Sequence, residues 1–139
     1  MHRELLLTRN PIDEAALGRS RRTILDAGAA LVFVGMVRDQ EGSEPIRALD
    51  YEAFEAMADH QFQRLFDEVE RRWPAVKSLR VVHRLGVVAV GEASLWVEIV
   101  SPHRGEAFAS CLWLIDEMKR VVPIWKHPVP VTAAPPPPT

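Results

Sequence analysis

The sequence predicts an α+β fold in which about three helices combine with a mixed, largely antiparallel sheet. Two long segments, residues 55–73 and 101–122, repeat apolar residues at the three- and four-residue steps of one helical face. Shorter apolar or alternating segments precede, separate and follow them, as β-strands do. The order strand, helix, strand, strand, helix, strands, helix is typical of the α+β class.

The first part of the chain predicts a strand, a helix and a second strand. Residues 3–8 are short and leucine-rich, which favours a strand. Residues 13–26 carry a weak helical stripe, and Gly28 follows where a C-cap glycine would stand. Residues 29–37 form a continuous apolar run rich in Val and Phe, which indicates a buried strand.

The middle of the chain begins with a polar loop, residues 39–45, after Arg38. An arginine where a strand enters a loop is usually solvated, but loops on rigid scaffolds also carry functional residues. Residues 46–54 alternate and predict a half-buried strand, whereas residues 55–73 predict a strong helix that ends at Pro74. Further apolar segments near glycines predict the remaining strands, at 79–85 and 95–100.

The second long helix is the most informative segment. Ser101 and Pro102 suit its N-cap and first position, and Pro123 ends it. Its predicted apolar stripe consists of Phe108, Cys111, Leu112, Ile115, Met118 and Val122. Because Cys111 lies on this stripe, we expect a small buried core residue.

The charges on this helix allow two interpretations. His103 and Arg104 lie at its N-terminus, where they either point into water or help to bind an anion. Lys119 extends the apolar stripe, so it either complements the helix dipole or is a partly buried amine suited to proton transfer or nucleophilic attack. His103 and Lys119 are sixteen residues apart, or about 24 Å along a helix. Either there are two sites, or one site is assembled from two chains.

Composition excludes several classes of protein. The chain has 139 residues, 47% hydrophobic and 26% charged, and a net charge of −2, which predicts one ordinary domain with no general attraction to nucleic acid or acidic membrane. No apolar run is long enough to cross a bilayer, and the N-terminus lacks a signal-peptide pattern, so we expect a cytoplasmic protein.

The motifs of several common sites are absent from the sequence. There is no glycine-rich phosphate loop and no His-Glu-x-x-His, and the five histidines and one cysteine show no ligand spacing. We therefore predict no metal and no resident cofactor.

Four segments in this order carry a resemblance to a known family. They are residues 33–38 (Phe-Val-Gly-Met-Val-Arg), 49–58 (Leu-Asp-Tyr-Glu-Ala-Phe followed by Met57-Ala58), 83–92 (His-Arg-Leu-Gly followed by Gly91-Glu92) and 101–126 (Ser-Pro-His-Arg through Lys119 to Pro-Ile-Trp-Lys). Together they resemble the large, catalytic subunit of molybdopterin synthase, over about residues 3–127. The resemblance implies one domain, 1–127, with an α/β-hammerhead fold, and leaves 128–139 as a flexible, proline-rich tail.

The resemblance also implies an activity and partners. In this family a central homodimer binds a small ubiquitin-like sulfur-carrier subunit at each end, giving a heterotetramer. The carrier's thiocarboxylate tail transfers two sulfurs in turn to cyclic pyranopterin monophosphate, which forms molybdopterin for molybdenum cofactor biosynthesis. Family active sites combine residues from both large subunits, which would account for the separation of His103 and Lys119.

Nine residues are predicted to form the site: five match family positions, and four flank them. The resemblance implies Lys119 and Lys126 as catalytic residues, with Lys119 the main acid/base or covalent-assist group. Arg38, His103 and Arg104 match anion-binding positions, and the remaining pocket residues are Met36, Val37, His127 and Pro128. Since the thiocarboxylate supplies the nucleophilic sulfur, the chain needs no catalytic cysteine.

The C-terminal residues depart from the family pattern. After Trp-Lys the family has another basic residue and an acid, where this chain has His127 and Pro128, and its usual charged tail is replaced by a proline-rich one. This departure motivates a second hypothesis, a non-catalytic binding partner of a ubiquitin-like carrier. A third hypothesis, a protein that binds a small phosphorylated metabolite, rests only on Arg38, His103 and Arg104.

Overall fold

The computed structural model describes residues 1–132, which form eleven helices and strands. In chain order they are β1 (His2–Thr8), α1 (Glu14–Arg19), β2 (Ala29–Met36), β3 (Gln40–Glu41), β4 (Glu44–Ala53), α2 (Glu55–Arg72), β5 (Ser78–Arg84), β6 (Gly86–Ala89), β7 (Ala93–Ser101), α3 (Arg104–Val121) and β8 (Ile124–Pro130). The predicted α+β class and the three helices are confirmed for this part of the chain.

The strands form two sheets. In the first sheet the order is β1-β5-β7-β2, where β1 runs parallel to β5 and the other neighbours are antiparallel. The second sheet has the order β3-β4-β6, and β8 also pairs with β4, all antiparallel. The predicted mixed, largely antiparallel arrangement is therefore confirmed.

The main core lies between α2, α3 and the first sheet. Its largest fully buried apolar side chains include Phe62, Phe66, Leu79, Ile99 and Leu114. A separate small cluster, made of Val37, Ile46, Leu49 and Val88, holds the second sheet together. Each such apolar side chain stabilises the fold by about 1.5–3 kcal/mol when it is buried. Because the main core joins α2 and α3 to the first sheet, its burial holds these elements together.

Helix α3 begins later and faces differently from the prediction. Ser101 ends β7, His103 is the N-cap residue, and the first helical residue is Arg104. The predicted stripe was wrong at Phe108 and Leu112, which are 60% and 64% exposed. The buried face instead follows Ala107, Ser110, Cys111, Leu114, Ile115 and Met118. The other four residues of the predicted stripe, Cys111, Ile115, Met118 and Val122, are buried. Successive residues lie about 100° apart around a helix, so Phe108 and Leu112 fall beside the buried face rather than on it.

Helix α1 is shorter than predicted. Asp13 caps it by accepting a 2.9 Å hydrogen bond from the Ala16 amide, but it ends at Arg19 rather than at residue 26. The chain then turns toward the first sheet, where Arg21 Nε lies 2.7 Å from Glu98 Oε2. Gly28 is not a C-cap residue: its amide donates to the Ser101 carbonyl at 3.1 Å, just before β2.

Two further predictions about strands need correction. β2 is not a buried strand but the edge of the first sheet, so Val32, Phe33 and Met36 are 39%, 38% and 60% exposed. The predicted tail, residues 128–139, begins inside a strand because β8 continues to Pro130 along β4. Residues 133–139, and with them the expected proline-rich segment, lie outside the described residues. No helix among residues 1–132 is long and apolar enough to span a membrane.

Candidate active site

A cavity of about 630 Å³ lies where the end of β2, the last turns of α3, and strands β4 and β8 meet. Its lining includes apolar residues of β2 and α3 and a set of polar side chains from several elements. The polar and charged lining residues are Arg38, Glu41, Tyr51, His83, Ser94, Lys119 and Lys126.

Three cations surround this cavity. Arg38 follows β2, Lys119 lies near the end of α3, and Lys126 lies on β8. Glu41 is the one carboxylate among the described residues of the lining. The cavity therefore carries an excess of positive charge, which suits a phosphorylated or carboxylate-bearing ligand.

The turn between α3 and β8 brings the two lysines to the same cavity. Pro123 cannot continue the helix, so α3 ends at Val121 and the chain reverses into β8. Ile124 N donates to the Val122 carbonyl at 2.8 Å within this turn. Lys119 is exposed at the cavity, so of its two interpretations the structure does not bear out the partly buried amine.

Lys126 is held by two sets of contacts. Its backbone pairs with Tyr51 of β4, whose side chain lines the same cavity. Its Nζ lies 2.8 Å from Glu41 Oε1. In contrast, neither Arg38 nor Lys119 has an ion-pair partner within residues 1–132.

Four of the nine predicted site residues line this cavity: Met36, Arg38, Lys119 and Lys126. Three others lie close in sequence but outside the lining. Val37 is 3% exposed and packs in the small cluster of the second sheet. His127 lies 3.0 Å from Glu52, and Pro128 pairs with Leu49 along β4.

His103 and Arg104 lie at the opposite end of α3 from Lys119. The helix is continuous from Arg104 to Val121, and both basic side chains are exposed. The separation of about 24 Å expected for an unbroken helix therefore holds. One chain alone presents two basic groups of residues, one around the cavity and one at the helix N-terminus.

The sequence interpretation assigned no role to His83, which also lines the cavity. Burial lowers the pKa of His83 from its ordinary value, and its hydrogen bond to the Arg84 carbonyl opposes this only in part. Nδ1 donates that bond at 2.7 Å, so Nε2 is the unprotonated nitrogen of the neutral ring. The ring also contacts Tyr51 edge to face, with 5.2 Å between the ring centroids. Its only sequence signal was a position within the family-like segment 83–92.

The one cysteine of the chain, Cys111, does not line the cavity. Burial raises the pKa of the Cys111 thiol to about 11, so it is protonated at neutral pH and is a poor nucleophile. Within residues 1–132 there is no cluster of three or more His, Cys, Asp or Glu side chains that could hold a metal ion.

Comparison with known proteins gives a consistent result. A family model described as MoaE protein matches residues 7–121. The molybdopterin synthase catalytic subunit of Nostoc sp. is 43% identical over 99 residues, which cover 71% of this chain and 60% of the Nostoc protein. The chain thus spans less than two thirds of that relative's length.

Two solved structures share the fold. The X-ray crystal structure of molybdopterin synthase from Staphylococcus aureus matches with a TM-score of 0.81 at 28% identity, covering 94% of this chain and 92% of that one. A complex of subunits 1 and 2 of the molybdopterin-converting factor from Helicobacter pylori matches with a TM-score of 0.66 at 22% identity, covering 94% and 90%. At that identity, the second match shows the fold alone.

Proposed function

This chain belongs to the MoaE protein family, and from that premise we propose that it is the catalytic subunit of a molybdopterin synthase. The proposed reaction transfers sulfur from the thiocarboxylate of a small ubiquitin-like carrier to cyclic pyranopterin monophosphate. The observation that carries the proposal is the convergence of Arg38, Lys119 and Lys126 on one cavity, in which residues 1–132 place a single carboxylate.

The charges of the cavity fit both proposed ligands. The substrate carries a cyclic phosphate and the carrier tail a thiocarboxylate, so each brings negative charge. Arg38 and Lys119 have no ion-pair partner in the described part of the chain and are available to these groups. Guanidinium and ammonium groups bind such anions through charge-assisted hydrogen bonds.

The side chains of the cavity are proposed to transfer protons rather than to act as nucleophiles. In the proposed reaction the carrier sulfur attacks the pterin side chain, and the cyclic phosphate opens as a thioester between carrier and pterin forms. Water then hydrolyses this thioester, so the sulfur stays on the pterin and the carrier leaves as a carboxylate. Lys119 acts as the main acid/base or covalent-assist group, and Lys126 assists it. The protonated state of Cys111 is consistent with a reaction in which the sulfur comes from the carrier.

A second copy of the chain completes the proposed site. His103 and Arg104 lie too far along α3 to reach the ligand held by Lys119 of the same chain. Edge strand β2 exposes Val32 and Phe33 near the cavity. The outer edge of an apolar strand, opposite the edge that pairs with β7, is a surface that another chain can cover. We propose a homodimer that places these two basic residues over the partner's cavity, with one carrier at each end of a heterotetramer.

The hypothesis of a non-catalytic carrier-binding protein is less well supported. It was motivated by His127 and Pro128, which replace the family's basic and acidic residues after Lys126. In the structure both residues are part of β8, and Lys126 still lines the cavity. The altered residues thus leave the lysine in a place where it can take part in catalysis, which supports the catalytic proposal.

Reconstitution tests this function directly. The wild-type chain, mixed with a thiocarboxylated carrier and cyclic pyranopterin monophosphate, should form molybdopterin. Lys119→Ala should lower the rate by about 10²-fold or more, the usual effect of removing a group that stabilises transition-state charge. Arg120→Ala is the matched control, because the neighbouring Arg120 pairs with Glu117 outside the cavity. An inactive wild type, alongside an active family control, would rule out the proposal.

A further inference from the structure

Glu41 and Lys126 form the one ion pair of the cavity lining within residues 1–132. Lys126 Nζ lies 2.8 Å from Glu41 Oε1, and the two side chains are 50% and 28% exposed. A carboxylate in a cavity proposed to bind anions is unfavourable for binding, because it repels the ligand and neutralises one of three cations. Its presence therefore calls for another explanation.

Stability does not supply that explanation. Ion pairs between partly exposed side chains contribute little to stability, because water screens them and two long side chains lose freedom. What the pair does change is the orientation of Lys126. A free lysine side chain samples many rotamers, and an ion pair with a carboxylate restricts where its ammonium lies.

The backbone that carries Glu41 is paired with β4. Glu41 lies in β3, where it pairs with Glu44 across a tight turn that contains Gly42 at a φ of 62°. Ile46 follows on β4; its amide donates to the Asp39 carbonyl at 3.0 Å, and its side chain is buried in the small cluster. The backbone of Glu41 is thus anchored to β4, which confines the reach of its carboxylate to the side of the cavity where Lys126 lies.

We infer that Glu41 is a positioning residue that aims the Lys126 ammonium into the cavity. The inference rests on the proposed function and divides the work among the three cations. Arg38 and Lys119 have no acidic partner within residues 1–132 and can both contact the anionic groups, and Lys119 keeps the main acid/base role, in which Lys126 assists it. Lys126, oriented by Glu41, acts in the chemical step, so Glu41 affects the turnover rate more than substrate affinity.

Chemical labelling tests the contact without reference to activity. An amine-reactive reagent such as acetic anhydride, followed by mass spectrometry, gives the labelling rate of Lys126 in the full chain. We expect Glu41→Ala to raise this rate several-fold. Glu44→Ala is the matched control, since Glu44 is exposed in the same hairpin and does not line the cavity. Equal labelling rates in wild type and Glu41→Ala would overturn the inference.

Steady-state kinetics test whether Glu41 positions Lys126 for the chemical step. Glu41→Ala should lower kcat about tenfold, because misplacing a reacting group is costly, while KM for the pyranopterin changes less than about twofold. Glu41→Gln, which keeps an acceptor oxygen of the same reach, should recover most of kcat, and Glu44→Ala should match wild type. An unchanged kcat in Glu41→Ala, or a change confined to KM, would defeat the positioning role alone. A wild type that forms no product would defeat the proposed function as well.

Discussion

Gly28 lies directly against the carbonyl group of Pro102, in the segment that leads into α3. A Cβ atom added at Gly28 would lie 2.5 Å from the Pro102 oxygen, which is closer than Cβ atoms approach backbone oxygens in proteins. The Gly28 amide also donates to Ser101, one residue earlier. Gly28 thus fixes the path of the backbone that presents His103 and Arg104.

Gly28→Ala should therefore lower the free energy of unfolding by about 1–3 kcal/mol, the usual cost of forcing an extra carbon into a packed position. Urea unfolding at a fixed protein concentration measures this change. Gly18→Ala is the matched control: Gly18 lies in α1 with open space around it, so a Cβ there should be neutral or stabilise by up to about 1 kcal/mol. Equal stabilities for Gly28→Ala and wild type would contradict the proposed close approach.

Stability should fall in mild acid because of His83. Burial lowers the pKa of His83 in the folded chain below its ordinary value of 6.5, so below that pH the unfolded chain binds more protons than the folded one. The neutral His83 ring therefore makes its full contribution to the free energy of unfolding above about pH 6.5. That free energy declines as the pH falls toward the lowered pKa, by at most about 1.4 kcal/mol per pH unit.

Unfolding curves of wild type and His83→Asn between pH 7.5 and 5 isolate this effect. The Asn amide can still donate to the Arg84 carbonyl but does not titrate. We expect the stability difference between the two proteins to shrink as the pH falls. A difference that stays constant over this range would show that the His83 pKa is the same in the folded and unfolded chains.

How far the sequence predicted the fold depended on the length of each pattern. Helix α2, predicted at 55–73, runs from Glu55 to Arg72, because five turns of apolar periodicity leave little ambiguity. Predictions based on a few residues were weaker. The apolar run of β2 indicated a buried strand, but composition does not reveal which strand lies at the edge of a sheet. Among the described strands, β2 has only β7 beside it.

The sequence identified only those residues of the cavity that the family resemblance implied. Arg38, Lys119 and Lys126 matched family positions and do line one cavity, although their roles stay predictions. Glu41 gave no signal, because it stands in a polar loop like any solvated acid. Its proximity to Lys126 depends on β3 and β8 both being anchored to β4, a relationship between segments about 85 residues apart that no local pattern encodes.

A buried ion pair holds the segment after α1 against the first sheet. Glu98 is 1% exposed and accepts hydrogen bonds from Arg80 Nε at 2.9 Å and from Arg21 Nε at 2.7 Å. Arg80 is also buried, and its guanidinium lies 4.9 Å from the centroid of the Trp96 ring. Removing the Glu98 charge would leave this arginine in a poorly solvated place with Glu4, whose Oε2 lies 3.5 Å from Arg80 Nε, as its remaining acidic partner among residues 1–132.

Glu98→Gln should therefore destabilise the chain by about 3–5 kcal/mol, the cost of breaking a buried pair from one side. Glu117→Gln removes the partner of Arg120 on the surface of α3, where the same change should cost at most about 1 kcal/mol. Thermal or urea unfolding of both variants gives the comparison. Similar losses in the two variants would mean that the Glu98 pair is no more important than a surface pair.

The proposed sharing of the site between two chains makes a quantitative prediction for mixed dimers. Lys119→Ala and His103→Ala each damage both sites of a homodimer, and each variant alone should be nearly inactive. In a mixed dimer, one site combines both substitutions and the other has neither, because Lys119 and His103 of one site come from different chains. Random mixing makes about half of the dimers mixed, so co-expression should recover about a quarter of wild-type activity.

Lys119→Ala mixed with Lys126→Ala is the matched control. These two lysines line the same cavity of the same chain, so every site in the mixed dimer lacks one of them and no activity should return. Recovery in the first mixture and none in the second would place His103 on the chain opposite Lys119. If neither mixture exceeds the average of its two parents, His103 does not act across the dimer, and the two basic groups of each chain serve separate purposes.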